Sequence, residues 1–239
     1  MYVLHIANKN YSSWSLRPWV LMRTLGVPFE ERLTPFPTGS SWSLYRPFSP
    51  SGLVPCLIDD GWAVWDSLAI TEYLAERHAG VWPADAKARA WARSAAAEMH
   101  SSFTALRGSC PMNCGVRVAP VPMSDALKHD LFRLGDLWDD GLRRFGGPFL
   151  AGDRFTAADA FFAPVAFRAQ SYGLSFEGAA ATYPARLLAL PAMREWYAAA
   201  LAEVWREPNH EAEVRAAGTV IEDFRATLYG AATSRAPAA

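Results

Sequence analysis

The sequence predicts a small α/β domain followed by a helical domain. Two observations support this division. Short strand-like and helix-like segments alternate up to about residue 80, and the strand-like segments stop after Pro83. Beyond that point the chain is rich in Ala, Leu and Arg with helical spacing. Its 239 residues are enough for one or two domains.

The first domain, residues 1–80, is predicted to contain four strands and two helices. It opens with the β-rich run YVLHIA, followed by the helical run WSLRPWVLMRTLG with a stop signal at Gly26. Three further candidate strands are FEERL, PCLID and AVW. The segment SLAITEYLAERHAG then carries apolar residues at helical spacing and closes at Gly80. The predicted order is therefore βαβ, an irregular segment, and ββα.

The second domain, residues 85–230, is predicted to contain about five helices separated by Gly- and Pro-containing breaks. The clearest helical segments are residues 85–107, 124–145, 156–171 and 191–202. Residues 231–239, AATSRAPAA, are expected to form a frayed tail.

Composition restricts the classes of partner. The net charge is -1, with charges of both signs scattered along the chain, so we expect neither nucleic acid nor an anionic membrane as a partner. We find no amino-terminal leader and no run of about 18 apolar residues, which favours a cytoplasmic protein. Three cysteines without a CxxC pair, Cys56, Cys110 and Cys114, are expected to be reduced.

Three serines at the start of the first helix form a candidate anion site. If Ser15 is the N-cap, Pro18 falls in the first turn, where a proline loses only an amide that would be unpaired anyway. Ser12 and Ser13 then lie just outside the helix, beside free amides that stabilise an anion. The alternative is that one serine caps the helix and the others fill a polar turn.

Two other segments of the first domain carry candidate binding residues. Pro55 lies at the head of a strand, which requires an edge position or a special turn. With a cis bond, the main chain of Val54 would face outward and pair with an extended peptide; with a trans bond, Pro55 simply starts the strand. Asp66 and Ser67 open the next helix, where Ser67 is either the N-cap or a ligand for a carboxylate.

These motifs resemble those of soluble glutathione transferases, and the resemblance covers nearly the whole chain. SSWSLR resembles the SSCSWR pattern of the zeta class. LVPCL resembles the Val-Pro segment of the family, and DSLAITEYL resembles its ESLAI-type helix start. FLAGDRFTAADAFFAPV is similar to the family's buried helix, with Thr156 and Asp159 as a capping box. The resemblance implies a thioredoxin-like α/β domain and an all-α second domain.

The resemblance also implies that the enzyme acts on the sulfur of glutathione. Ser12 would donate a hydrogen bond to that sulfur, and Ser13 is the next candidate. Trp14 stands where the zeta pattern has Cys, which weakens the case for maleylacetoacetate isomerisation. The segment YSSWS contains no cysteine, which argues against disulfide exchange.

Further residues of the first domain would bind the rest of the tripeptide. By the resemblance, the main chain of Val54, beside a cis Pro55, would pair with the cysteinyl residue. Asp66 and Ser67 would receive the γ-glutamyl end. Leu53 stands where relatives often carry Gln or Lys for the glycine carboxylate, so that contact has no evident partner.

The electrophile is expected to lie against the second domain. Met99, Phe103 and Arg107 recur at i, i+4 and i+8 and form one candidate wall of the acceptor site. Alternatively, Met99 and Phe103 fill the core and Arg107 satisfies the carboxyl end of its helix. Trp14 is either an aromatic wall of the acceptor site or a core residue.

The sequence therefore predicts a cytoplasmic glutathione transferase that joins glutathione to a small hydrophobic electrophile in detoxification. The alternatives are a glutathione-dependent isomerase, a dehalogenase, or a binding protein of the same fold without catalysis. Assembly as a homodimer is the expectation that the resemblance brings. The five histidines show no ligand spacing, so no metal is predicted.

Overall fold

The computed structural model describes residues 1–119 and 122–225. Four strands of the amino-terminal half form one sheet in the order β2-β1-β3-β4, with β1 parallel to β2 and the other pairs antiparallel. The strands are β1 (Tyr2–Ile6), β2 (Phe29–Leu33), β3 (Cys56–Asp59) and β4 (Trp62–Trp65). This is the predicted mixed sheet of a thioredoxin-like unit.

Three helices accompany this sheet: α1 (Ser13–Leu25), α2 (Trp42–Tyr45) and α3 (Ser67–Ala75). As predicted, α1 ends at Gly26, which adopts the left-handed conformation with φ of 68°. The short helix α2 lies in the segment that the sequence analysis leaves irregular.

The carboxyl-terminal half is mostly helical, as predicted. Its α-helices are α4 (Ala86–Ser101), α5 (Thr104–Ser109), α6 (Asp125–Phe145), α7 (Ala157–Tyr172), α8 (Tyr183–Leu188), α9 (Pro191–Ala202) and α10 (Pro208–Ala217). A 3₁₀ helix, Gly178–Thr182, precedes α8. The helices α6, α7 and α9 match the predicted segments closely. Pro83 lies in the connection between α3 and α4.

The segment 85–107, predicted as one helix, is divided between α4 and α5. Ser102 has extended backbone angles, and Phe103 follows in the left-handed conformation with φ of 60°. No Gly or Pro marks this break, so the sequence carries no ordinary stop signal there. The guanidinium of Arg107 bends back and donates hydrogen bonds to the carbonyl oxygens of Met99 and Ser102, which satisfies the end of α4.

The helical half also contains two strands that the sequence analysis does not predict. β5 (Val116–Val118) and β6 (Val220–Asp223) form an antiparallel pair, which joins the end of the described chain to the segment after α5. The predicted tail, residues 231–239, lies outside the described residues. Within the described part of the chain, no helix is both long and apolar enough to cross a membrane.

The helix α7 is buried along nearly its whole length and packs against α1, α4 and α8. Its predicted capping box is present: Thr156 and Asp159 exchange hydrogen bonds between side chain and main chain. The buried carboxylate of Asp159 also accepts hydrogen bonds from the Leu150 amide at 3.0 Å and the Tyr183 hydroxyl at 2.7 Å. One side chain thus joins the start of α7 to the loop before it and to α8.

Replacement of Asp159 by Ala is expected to lower the free energy of unfolding by about 3 kcal/mol or more, because it leaves several buried donors without an acceptor. Urea unfolding followed by circular dichroism measures the change. Asp153→Ala is the control, since Asp153 is exposed. Equal unfolding midpoints for the two variants would contradict this role of Asp159.

Candidate functional site

A cleft of about 560 Å³ lies between the sheet domain and the helical half. Most of the predicted site residues border it: Ser12, Ser13, Trp14, Val54, Pro55, Asp66, Ser67 and Arg107. Two do not, because Met99 and Phe103 are buried in the hydrophobic core, at 0% and 4% exposure. The apolar lining comes instead from residues such as Phe36, Pro111 and Met112.

The loop before α1 is held by the helical half. The amides of Lys9 and Asn10 donate to the carboxylate of Glu203, at 2.5 and 3.3 Å. The indole of Trp196 donates to the Lys9 carbonyl at 2.9 Å, and the Asn10 side chain accepts from the Gly115 amide at 2.9 Å. These contacts fix the direction in which α1 enters the cleft. Sequence reasoning missed all of them, since each joins residues about a hundred or more positions apart.

The N-cap of α1 is Ser12, so the prediction that Ser15 caps this helix is wrong. Ser15 lies inside the first turn, fully buried, and its hydroxyl accepts from the Ala7 amide at 3.4 Å. Pro18 therefore lies within the helix and leaves the carbonyl of Trp14 without its usual amide partner. Tertiary packing outweighs this loss, because α1 is buried along most of its length against α7 and α9.

The hydroxyls of Ser12 and Ser13 differ in their hydrogen bonding. Ser12 Oγ donates to Ser15 Oγ at 2.8 Å. Ser13 Oγ has no hydrogen-bond partner among the described residues. Both side chains border the cleft at the amino end of α1, where main-chain amides and the helix dipole favour an anion.

The bond between Val54 and Pro55 is cis, which decides between the two alternatives left open by the sequence. Val54 lies just outside β3, and its amide and carbonyl form no hydrogen bond with the described residues. Val54 borders the same cleft as Ser12 and Ser13. The main-chain groups of Val54 are therefore available to an extended ligand.

The N-cap of α3 is Asp66 rather than Ser67. Its carboxylate accepts from the Leu68 amide at 2.7 Å, and its φ is 73°, unusual for a residue other than glycine. Asp66 Oδ2 lies 3.5 Å from His100 Nε2. Ser67 is buried and accepts a long hydrogen bond, 3.4 Å, from Arg17 Nη1.

Trp14 is half-buried on the cleft wall between two arginines. The guanidinium carbon of Arg17 lies 4.1 Å from the centre of the Trp14 ring, and that of Arg107 lies 4.9 Å from it. Arg107, which belongs to α5, donates to carbonyl oxygens at the end of α4 and also borders the cleft.

The structure adds cleft residues that the sequence analysis did not select. Arg168 from α7 and His210 and Glu213 from α10 line the wall opposite the sheet. The ring of His210 stacks on Tyr11, with ring centres 5.1 Å apart. No local pattern indicates that α10 is part of the site, because its residues lie about 200 positions from the serines.

Tyr11, which precedes the serines, is tied to the end of the described chain. Its hydroxyl donates to Glu211 at 2.5 Å and accepts from the buried guanidinium of Arg225 at 2.9 Å. Burial, followed by the bond to Glu211, raises the pKa of Tyr11 to about 12. The phenol is therefore protonated at neutral pH and acts as a structural link.

The three cysteines are free and buried, as expected for reduced thiols. Burial raises the pKa of Cys56 and of Cys110 to about 11, and it raises that of Cys114 further. All three are protonated near neutral pH, and none borders the cleft. No group of three His, Cys, Asp or Glu residues within residues 1–119 and 122–225 is arranged to hold a metal ion.

Comparison with known proteins identifies two matching family models. The model of the glutathione S-transferase N-terminal domain matches residues 11–77, and that of the glutathione S-transferase C-terminal domain matches residues 125–199. Together the two matches span more than half of the chain. No curated protein sequence matches the chain significantly.

Solved structures with the same fold include a glutathione transferase homolog from Burkholderia gl BGR1 with bound glutathione. It is 25% identical, with a TM-score of 0.61, over 83% of this chain and 97% of that one. A theta-class glutathione S-transferase from Xanthomonas axonopodis pv. citri with bound glutathione is 22% identical, with a TM-score of 0.59, over 82% and 96%. The tau-class enzyme from mango, Mangifera indica, is 21% identical, with a TM-score of 0.63, over 90% and 96%.

Replacement of Tyr11 by Phe is expected to lower the free energy of unfolding by about 1–3 kcal/mol, because Arg225 and Glu211 each lose a buried partner. Thermal unfolding measures the loss. Tyr197→Phe is the matched control, since the Tyr197 hydroxyl has no hydrogen bond among the described residues. A Tyr11→Phe variant as stable as the control would show that this link contributes nothing.

Proposed function

Because this chain belongs to the soluble glutathione transferase family, we propose that it binds glutathione in the cleft and activates the thiol for transfer to a small electrophile. One observation carries the proposal. The serine pair at the amino end of α1 borders the same cleft as the free main chain of Val54 and the start of α3. Two solved structures of the same fold contain bound glutathione, which supports glutathione as the thiol substrate.

The tripeptide would extend from β3 to α3. The amide and carbonyl of Val54 would pair with its cysteinyl residue, next to the cis Pro55, as an added strand would. Its γ-glutamyl end would lie at Asp66 and Ser67, where the first amides of α3 receive a carboxylate. This arrangement directs the sulfur toward the serines.

Energetically, one hydroxyl and one helix terminus are sufficient to activate the thiol. A free thiol with a pKa of about 8.5 is only a few per cent ionised at neutral pH. Lowering that pKa by about two units requires about 2.7 kcal/mol of preferential stabilisation of the thiolate. A hydrogen bond to a charged group contributes about 1.5–3 kcal/mol and a helix terminus about 0.3–2 kcal/mol. The serine donates its hydrogen bond as an oxyanion-hole donor does, without ionising.

Ser12 and Ser13 remain the two candidates for the sulfur contact. Ser13 Oγ has no partner in the described structure and is free to donate. Ser12 can donate if the bond to Ser15 reverses, so that Ser15 Oγ donates to Ser12 Oγ. In that case the Ala7 amide, Ser15 and Ser12 form a chain of hydrogen bonds that ends at the sulfur, and each bond strengthens the next.

The acceptor would lie between Trp14 and the helical half, against Pro111 and Met112. Met99 and Phe103 have no part in this proposal, because they do not reach the cleft. A glutathione-dependent isomerase or dehalogenase would use the same activated thiol. The choice among these reactions depends on the acceptor rather than on the serines.

A binding protein without catalysis is the second candidate, and Leu53 favours it. Leu53 borders the cleft and is 60% exposed, yet it offers no charge or hydrogen bond to the glycine carboxylate of glutathione. Weak binding of glutathione would leave the cleft free for other ligands.

We also propose assembly as a homodimer in the cytoplasm. Trp62 and Trp65 on the outer strand β4 are 71% and 45% exposed. Large apolar side chains on an edge strand favour coverage by a second chain.

Turnover of glutathione with 1-chloro-2,4-dinitrobenzene tests the serine assignment. Replacement of the sulfur-contacting serine by Ala should raise the pKa of bound glutathione, seen in the pH–rate profile, by about one to two units. The rate at neutral pH should fall about 10- to 100-fold. Ser12→Ala, Ser13→Ala and the double variant separate the two candidates.

The exposed Ser101→Ala variant is the control for this series. Rates and pH profiles that match the parent in all three serine variants would remove both serines from thiol activation. A loss confined to one single variant would assign the sulfur contact to that serine.

Replacement of Leu53 by Lys should tighten glutathione binding by about 2- to 5-fold, because a partly exposed ion pair with the glycine carboxylate adds about 0.5–1 kcal/mol. Titration calorimetry measures the dissociation constant. Leu44→Lys is the matched control, since Leu44 is also exposed but does not border the cleft. No binding by parent or variant up to millimolar glutathione would refute the proposed substrate.

A further inference from the structure

Three arginines lie at or beneath the cleft without a carboxylate partner: Arg107 and Arg168 from the helical half and Arg17 from α1. Arg17 and Arg168 are buried, at 0% and 4% exposure, and Arg107 is half-buried. Across residues 1–119 and 122–225, none of the three forms a salt bridge. Buried guanidinium groups cannot readily give up their charge, so such a cluster is costly unless an anion accompanies it.

The three guanidinium groups lie within one another's electrostatic field. Burial lowers the pKa of Arg17 most, and the charges of Arg107 and Arg168 lower it further. Burial, followed by the charge of Arg107, lowers the pKa of Arg168 to about 10. The carboxylates of Asp66 and Asp130 act on Arg17 and Arg107 only from a distance.

Part of the donor capacity of this cluster is unused. Arg168 donates through Nε to the Cys110 carbonyl at 2.8 Å and through Nη1 to the Pro164 carbonyl at 3.5 Å. Its Nη2 has no partner among the described residues, and neither does Nη1 of Arg107. Beneath them, Nε and Nη2 of Arg17 are buried without a hydrogen-bond partner.

Arg107 and Arg168 both border the cleft, and they approach it from the helical half. The groups proposed to hold glutathione, at Val54, Asp66 and Ser67, come from the sheet domain. An anion beside the two arginines would therefore lie on the acceptor's side of the sulfur. Glu213 also borders the cleft, and its carboxylate disfavours an anion bound next to it.

Resting on the proposed function, we propose that Arg107 and Arg168 form a subsite for a carboxylate of the acceptor. The enzyme would then prefer electrophiles that carry a negative charge near the reacting carbon. Arg17 supports the subsite from beneath by adding positive potential, while Trp14 packs against the body of the acceptor. The net charge of the chain, -1, gives no hint of this local preference.

A matched pair of aryl chlorides tests the subsite: 4-chloro-3,5-dinitrobenzoate and the neutral 4-chloro-3,5-dinitrobenzamide. In each reaction the glutathione sulfur forms a bond to the ring carbon, the C–Cl bond breaks, chloride leaves with the electron pair, and the thiol proton passes to water. Each kcat/KM is divided by the uncatalysed rate constant of the same acceptor. This normalisation removes the difference in intrinsic reactivity.

The parent protein should favour the carboxylate by about tenfold or more, the effect of one charge-assisted hydrogen bond. Arg107→Gln should abolish most of this preference. The side-chain amide of Gln can still donate a hydrogen bond to a carbonyl oxygen at the end of α4, so the fold should be kept. Arg107→Lys should retain part of it, and the exposed Arg154→Gln should retain all of it. Normalised rates that are equal for the two acceptors in the parent would overturn the proposal without any variant.

Two other outcomes would also overturn it. If Arg107→Gln folds and keeps the preference, Arg107 does not hold the carboxylate. If the variant raises only the KM for glutathione, the anion is a carboxylate of glutathione itself.

Binding of the unreactive 3,5-dinitrobenzoate and 3,5-dinitrobenzamide, measured by calorimetry, separates this proposal from the proposed function. One outcome is that 3,5-dinitrobenzoate binds more tightly than the benzamide, that this difference depends on Arg107, and that neither aryl chloride is turned over. This outcome would support the subsite and refute the transferase reaction. Turnover with equal binding of the two compounds would refute the subsite alone.

Discussion

Hydrogen bonds between the loop at residues 8–12 and the helical half are the constraint on which the site depends. The carboxylate of Glu203 accepts hydrogen bonds from the amides of Lys9 and Asn10, and the indole of Trp196 donates to the Lys9 carbonyl. Burial raises the pKa of Glu203, so its position is costly unless these donors are present. The amino end of α1 therefore faces the cleft only when both halves of the chain are packed together.

This constraint determines the electrostatic character of the cleft. The amino end of α1 supplies partial positive charge, and the arginines on α1, α5 and α7 supply full positive charges nearby. Two carboxylates, those of Asp66 and Glu213, also border the cleft. A chain with almost balanced net charge thus concentrates positive potential at one place. That potential favours a thiolate and, next to it, an anionic acceptor.

Prediction from the sequence identified residues that border the cleft where those residues are contiguous in the chain. SSWSLR and WDSLAI each follow a strand and open a helix, whereas LVPCL opens β3. The antiparallel pairing of β3 with β1 and β4 brings these three segments to one edge of the sheet. Prediction failed where tertiary packing overrides a local rule. Ser15 does not cap α1, because burial of the helix compensates for Pro18 within it. The wall expected from Met99 and Phe103 is absent, because both side chains are buried in the core and the helix is interrupted at Phe103, which adopts a left-handed conformation.

By itself, the sequence determined the succession of strands and helices in the first domain, the main helices, and the serine, valine and aspartate segments that border the cleft, because these depend on local periodicity and on turn chemistry. Only the tertiary structure decided which residues of the helical half complete the cleft. Arg168 and His210 border the cleft from α7 and α10, and Glu203, at the end of α9, holds the loop before α1. All three lie far from the serines in the chain, and their positions follow from how α7, α9 and α10 pack. Packing geometry depends on many side chains at once, so no short stretch of sequence specifies it.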